Sequence, residues 1–135
     1  MVMNSVFHFE MPAENKKRMS EFYTKTFGWQ CKQLGPDMGE YVLVMTTESD
    51  TKGPVKPGAI NGGFFQKTSD PLTHTLSIVI KVDDLSTHMK KVKAGGGTVI
   101  GKPIDIPGVG TFVSFSDTEG NRLSMMQMFD QQKKK

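Results

Sequence analysis

The sequence predicts an α+β fold built from two βαβββ modules. Three observations carry this expectation. Strand-like alternation over residues 5–11 gives way to helical spacing over 14–27, and the same switch recurs after residues 75–82. Each helical stretch stops at glycine, Gly28 in the first half and Gly95-Gly96-Gly97 in the second. Three strand candidates then follow each helix, so the element order repeats after about 65 residues.

The elements follow in order. Residues 5–11 place Phe7, Phe9 and Met11 on one face of a strand and Val6, His8 and Glu10 on the other. Pro12 ends that strand because it has no N–H for a ladder. In the helix that follows, Met19, Phe22, Tyr23 and Phe27 form the expected buried stripe, ringed by Lys16, Lys17, Arg18, Glu21 and Lys25. Strands are expected near 29–34, 40–47 and 59–66. Between the last two, the polar run from Ser49 to Pro57, with Gly53 and Pro54, reads as a mobile loop. The link from Thr68 to Thr73 separates module 4–67 from module 73–130.

The second module repeats the pattern. After the strand at 75–82, Asp83 or Asp84 supplies an N-cap carboxylate. Leu85, Met89 and Val92 form that helix's buried stripe, and strands follow near 98–104, 110–117 and 121–128. One helix covers only one face of a four-stranded sheet, so pairing the modules would cover the bare faces.

Composition narrows the function classes. The 135 residues suffice for one compact domain, and 36% apolar with 23% charged residues describes a folded chain. No apolar run approaches the ~20 residues of a membrane span, and the start has no signal-peptide pattern. The single Cys31 excludes an internal disulfide and suits a reducing cytoplasm. The net charge is 17 − 14 = +3, and Lys133, Lys134 and Lys135 supply all of it. Residues 131–135 are thus a basic tail, and the body has no charge excess of the kind that binds nucleic acid.

An ordered set of short motifs spans nearly the whole chain: His8, Phe22-Tyr23, Phe27-Gly28-Trp29, Gly62-Gly63, Val82-Asp83-Asp84, Gly95-Gly96, Ile106 to Gly110, and Asp117-Thr118-Glu119-Gly120-Asn121. With it the sequence resembles the vicinal oxygen chelate superfamily, which includes glyoxalase I, extradiol dioxygenases, and bleomycin- and fosfomycin-resistance proteins. Thr118 departs from the proline usual in that turn. The resemblance implies curled mixed sheets around a shared cavity, a small-molecule ligand, and commonly a homodimer. In metal-dependent members, the first and last strands of each module carry His and Glu ligands. Those positions fall here on His8, on Gly63 to Phe65, on Ser77 and on Ser124. Only His8 is a ligand type, and serine hydroxyls do not replace a carboxylate and an imidazole on a divalent ion. No family-type metal and no cofactor is expected.

Strand parity extends the candidate site. With His8 go Glu10 and Val6; with Ser77 go Val79 and Lys81; with Ser124 go Met126 and Met128. Glu10 and Lys81 are expected to form an ion pair at the rim or, alternatively, to grip a charged ligand, and Trp29, Tyr41 and Phe65 to line a pocket for an aromatic or planar ligand. His8, titrating near neutrality, and Glu10 are the candidate acid/base residues. His74 reads as a strand-end surface residue, His88 as exposed on its helix, and Cys31 as a structural thiol. The expected function is binding of a small organic ligand without the family metal. The alternative is a glyoxalase-type lyase or isomerase, or a dioxygenase, using His8 with a shifted metal or acid/base site. A third class, a regulatory partner acting through its surface and basic tail, lacks support in any large exposed apolar helix stripe.

Overall fold

The computed structural model describes residues 3–129, so the basic tail lies outside the described residues. The chain divides into two compact units, residues 7–77 and residues 3–6 with 78–129. Each carries a βαβββ module, and the fold is α+β as the sequence predicts.

In the first unit, β1 (Val6–Ala13) leads to α1 (Lys16–Phe27), then β2 (Gln30–Gln33), β3 (Val42–Met45) and, later, β6 (Asn61–Gln66). These strands order as β2-β3-β6-β1, with β1 parallel to β6 and the other pairs antiparallel. Asn15 caps α1 by accepting the Arg18 N–H at 2.9 Å. Gly28 closes it at φ 74°, its N–H bonded to the Thr24 carbonyl and the Trp29 N–H to that of Tyr23. Ala13, Val42, Val44 and Phe64 form the core under α1, packed by Phe9, Met11, Met19, Tyr23, Trp29 and Cys31.

Three expectations need correction here. Pro12 does not end β1, which continues to Ala13 with Pro12 opposite Phe65 and Ala13 opposite Gln66. The stretch 49–57 is not open loop, because β4 (Ser49–Asp50) and β5 (Gly53–Pro54) pair as a short hairpin. Asn61 holds it down: Nδ2 donates to Ser49 Oγ at 2.8 Å, while Oδ1 accepts from the Thr46 N–H. The α1 stripe is also narrower than expected. Met19 and Tyr23 face the core, whereas Phe22 and Phe27 are 54% and 61% exposed. A residue next to Tyr23 on the helix turns ~100° away from the contact line, so Phe22 clears the sheet.

In the second unit, β7 (Ser77–Lys81) precedes α2 (Leu85–Ala94), β8 (Thr98–Ile106), β9 (Gly110–Ser116) and β10 (Arg122–Met128). The order β8-β9-β10-β7, with β10 parallel to β7, mirrors the first unit. Asp84 is the N-cap of α2, accepting from the Thr87 N–H. Val82, Leu85, Val113, Phe115 and Met125 form this core, with Met89 and Val92 against it. The Asp117 carboxylate ties the final turn by accepting from Glu119 N–H, Asn121 N–H and Asn121 Nδ2, each at 2.9 Å. Those bonds, led by the Asn121 side chain, hold its pKa below the usual carboxylate value. Gly120 takes φ 85° there, so Thr118 in place of proline leaves the turn intact.

Candidate functional site

The face of the first sheet opposite α1 follows from register. Glu10 pairs with Gly63 and Gly63 with Leu43, while His8 pairs with Asn61. Cross-strand partners share a face, so His8, Glu10, Asn61, Gly63, Phe65, Leu43 and Met45 all lie on the side away from the core. Leu43 and Met45 are 42% and 40% exposed there.

Tyr41 organises this face. It stands just ahead of β3, where Glu40 adopts φ 55°, a left-handed conformation costly for a side-chain-bearing residue. Lys16 Nζ and Gln33 Nε2 both donate to the Glu40 carbonyl, and the Leu34 N–H donates to that of Tyr41 at 2.8 Å, holding the turn. From there the Tyr41 ring reaches back across β6. A Cβ built on Gly63 would fall on that ring. Glycine at 63 is what lets the phenol reach β1.

The phenol oxygen lies 3.0 Å from Glu10 Oε2, to which it donates, and 3.0 Å from His8 Nε2. A phenol has one proton. With it committed to the Glu10 carboxylate, the bond to His8 requires an imidazole carrying its hydrogen on Nε2. The chain therefore runs His8 Nε2–H to Tyr41 to Glu10. His8 Nδ1 is left as a lone-pair acceptor with no hydrogen-bond partner among the described residues. The His8 and Tyr41 rings are nearly parallel, with centroids 6.5 Å apart.

The electrostatics match this order. Burial pushes the His8 pKa down to about 4, against the near-neutral value expected from sequence, so the imidazole is neutral at pH 7. Burial first, then the Glu10 charge and hydrogen bond, push the Tyr41 pKa well above its ordinary value and keep the phenol protonated.

The other expected site residues fall as follows. Trp29 lies on the opposite side of the sheet, stacked on Tyr23 at 4.6 Å and packed against Phe9 at 5.7 Å. Gly28 turns the chain straight back onto the helix, which puts the indole in the core and not in the site. Ser77 is buried at the start of β7 and Lys81 is exposed at its end. In the second unit, Ser124 is fully buried with its hydroxyl 3.1 Å from that of Ser114, which also accepts from Arg122 Nη1. Met126 is half-buried on the same β10 face as Ser124. His74 is exposed and bonded to the Thr68 carbonyl, as expected of a strand-end residue. His88 is half-buried instead of exposed, because its ring bridges Asn4 Oδ1 and the Asp84 carbonyl. Cys31 packs in the core with its sulfur 4.0 Å from the Ser20 carbonyl.

The four positions that the resemblance marks for metal ligands do not fit a divalent ion. At Gly63 the space for a carboxylate side chain holds the Tyr41 ring, and at Ser77 and Ser124 the side chains end in hydroxyls. Among the described residues, no group of three or more His, Cys, Asp or Glu side chains is placed to hold a metal ion. Sequence reasoning misses the Tyr41–Gly63 contact. Its one signal is a pair of glycines inside a strand, which marks a close approach.

Comparison with known proteins agrees with this fold. The model of the Glyoxalase/Bleomycin resistance protein/Dioxygenase superfamily matches residues 5–125. A glyoxylase-like domain-containing protein of Didymella fabae is 31% identical over 113 residues, covering 83% of this chain and 84% of that protein. A putative glyoxylase, CFP32, of Mycobacterium bovis is 34% identical over 71 residues, which is 53% of this chain and only 27% of that protein's length. Among solved structures, methylmalonyl-CoA epimerase from Mycobacterium tuberculosis superposes with a TM-score of 0.68 at 12% identity, covering 95% of this chain and 90% of that one. A single-residue variant of Streptomyces coelicolor methylmalonyl-CoA epimerase, in complex with 2-nitronate-propionyl-CoA, gives 0.65 at 14% identity, covering 95% and 96%. At such identities these two structures speak for the fold alone.

Proposed function

This chain belongs to the glyoxalase/bleomycin resistance protein/dioxygenase superfamily, and from that premise we propose that it binds a small organic ligand on the open face of the first sheet without the superfamily's metal. One observation carries the reading. The Tyr41 ring fills the space beside Gly63, within the Gly63 to Phe65 stretch that the resemblance marks for a ligand, and its hydroxyl ties His8 to Glu10. The one ligand-type side chain at those positions is thereby committed to a hydrogen-bond chain. The exposed Leu43 and Met45 beside it supply an apolar wall for the body of a ligand.

The catalytic alternative has one supporting observation, the His8 Nδ1 acceptor, which has no hydrogen-bond partner among the described residues. A general base works best with a pKa near the working pH. At about 4, the His8 imidazole is a weak base at neutrality, and this favours binding over proton abstraction. By the same family premise, we propose that the protein acts as a homodimer.

The test is an NMR titration of the intact protein, first with Zn²⁺, Ni²⁺ and Mn²⁺ and then with a fragment library. The expected result is no stoichiometric metal binding that depends on His8, and fragments that shift the His8, Leu43, Met45 and Gly63 resonances. One tight ion per chain, lost in His8→Ala, would sink the reading.

A further inference from the structure

Resting on the binding reading above, we propose that the open face selects ligands that present an N–H or O–H donor to His8 Nδ1, attached to an apolar body that lies against Leu43 and Met45. The proton inventory of the three side chains sets this requirement. Glu10, as a carboxylate, only accepts; Tyr41 has one hydrogen and donates it to Glu10 Oε2. His8 must then donate from Nε2 to the Tyr41 oxygen, which fixes its tautomer from two residues away. What remains at Nδ1 is a lone pair, and no described residue supplies a hydrogen to it. The imidazole cannot reverse its role by turning over, since its Nε2 is anchored to Tyr41. Nor does it gain a second hydrogen at neutral pH, where burial keeps it uncharged.

The amide of Asn61, the other polar side chain in register with His8, is oriented by two hydrogen bonds. Its oxygen accepts from the Thr46 N–H and its nitrogen donates to Ser49. Tyr41 therefore has no hydrogen to offer an acceptor group of the ligand, and Asn61 keeps one amide N–H beyond the one it gives Ser49. A molecule that brings only acceptors, such as an ether or a carboxylate, sets a lone pair against the Nδ1 lone pair and leaves both unpaired. A site built to hydrogen-bond a particular group discriminates strongly against analogues that lack it.

The experiment uses matched pairs that differ in the donor: indole against N-methylindole, and phenol against anisole. Each is titrated into the full-length protein, followed by the shifts of the face residues and of the His8 ring nitrogens. The expected result is affinity about ten-fold or more higher for the donor member of each pair. Indole should also move the Nδ1 resonance in the direction of an accepting nitrogen, while N-methylindole leaves it in place. In His8→Phe the ten-fold preference should disappear. The tautomer is read on the unaltered protein, so the proposal stays testable if that variant does not fold.

Equal affinities within each pair, or a His8 ring carrying its hydrogen on Nδ1, overturn the donor requirement and leave the binding reading standing. Failure of all four probes and of the fragment library to shift any residue of the face overturns both. Binding of these probes elsewhere, with His8 and Tyr41 unshifted, overturns the donor requirement as well.

Discussion

Tyr41 shows how much a single side chain sets on this face. Its phenol decides which nitrogen of His8 carries hydrogen, and its ring decides that residue 63 has no side chain. Gly63→Ala should therefore drive a methyl into a ring that cannot retreat without breaking two hydrogen bonds. The expected cost is about 2 kcal/mol or more, by urea denaturation. In a Tyr41→Ala background the same substitution should cost much less, and that non-additivity measures the contact.

His8 gives a second prediction at this scale. Its folded pKa of about 4 lies below the ordinary 6.5, so between those values the unfolded chain binds a proton that the folded chain refuses. Stability from this residue is thus complete above pH 6.5 and is lost as pH falls toward 4. Across pH 7 to 5 the loss is of order 2 kcal/mol. The urea midpoint should fall over that window, and His8→Asn should flatten the fall. An unchanged slope would mean that His8 is protonated in the folded protein.

At the scale of elements, α1 is tied down along one narrow line. Tyr23 stacks on Trp29 and meets Phe64, while Phe22 points outward and, among the described aromatic rings, touches only Tyr23 and Phe27. Tyr23→Ala should cost about 2 kcal/mol or more. Phe22→Ser should cost less than about 1 kcal/mol and leave the thermal midpoint nearly unchanged. The opposite ranking would place the helix's buried line where spacing alone puts it. The hairpin at 49–54 is the other element that pattern reading misses. A two-residue strand has no detectable period, and this one is held by Asn61, a residue twelve positions away.

At the scale of the whole molecule, the two modules share an order of elements and a strand order but not a site. In the first, the open face carries the His8–Tyr41–Glu10 chain; in the second, the matching face carries Ser114, Ser124 and Arg122 joined by hydroxyls. The repeat therefore explains the fold and not the chemistry. The proposed homodimer has an expected mass of 2 × 15.0 = 30 kDa, and light scattering after size exclusion checks it. A mass of one chain at micromolar concentration would remove the dimer from the reading.

What the sequence determined is what depends on neighbours along the chain. The alternation in Val6 to Met11 set which side chains share the face of His8, and the stop at Gly28 and the cap at Asp84 set the helix ends, because local backbone geometry and a few hydrogen bonds suffice for each. The ordered motifs carried the family and the serines at two ligand positions for the same reason. What only the tertiary structure decided depends on strand order. Tyr41 meets His8 and Glu10 because β6 lies between β3 and β1 and has glycine at the crossing. Trp29 joins the core because the chain folds back over α1 on leaving it. Neither contact leaves a periodic trace, since residues more than thirty apart meet only once the sheet has registered, and it is that register which converts an isolated histidine into a neutral, oriented acceptor.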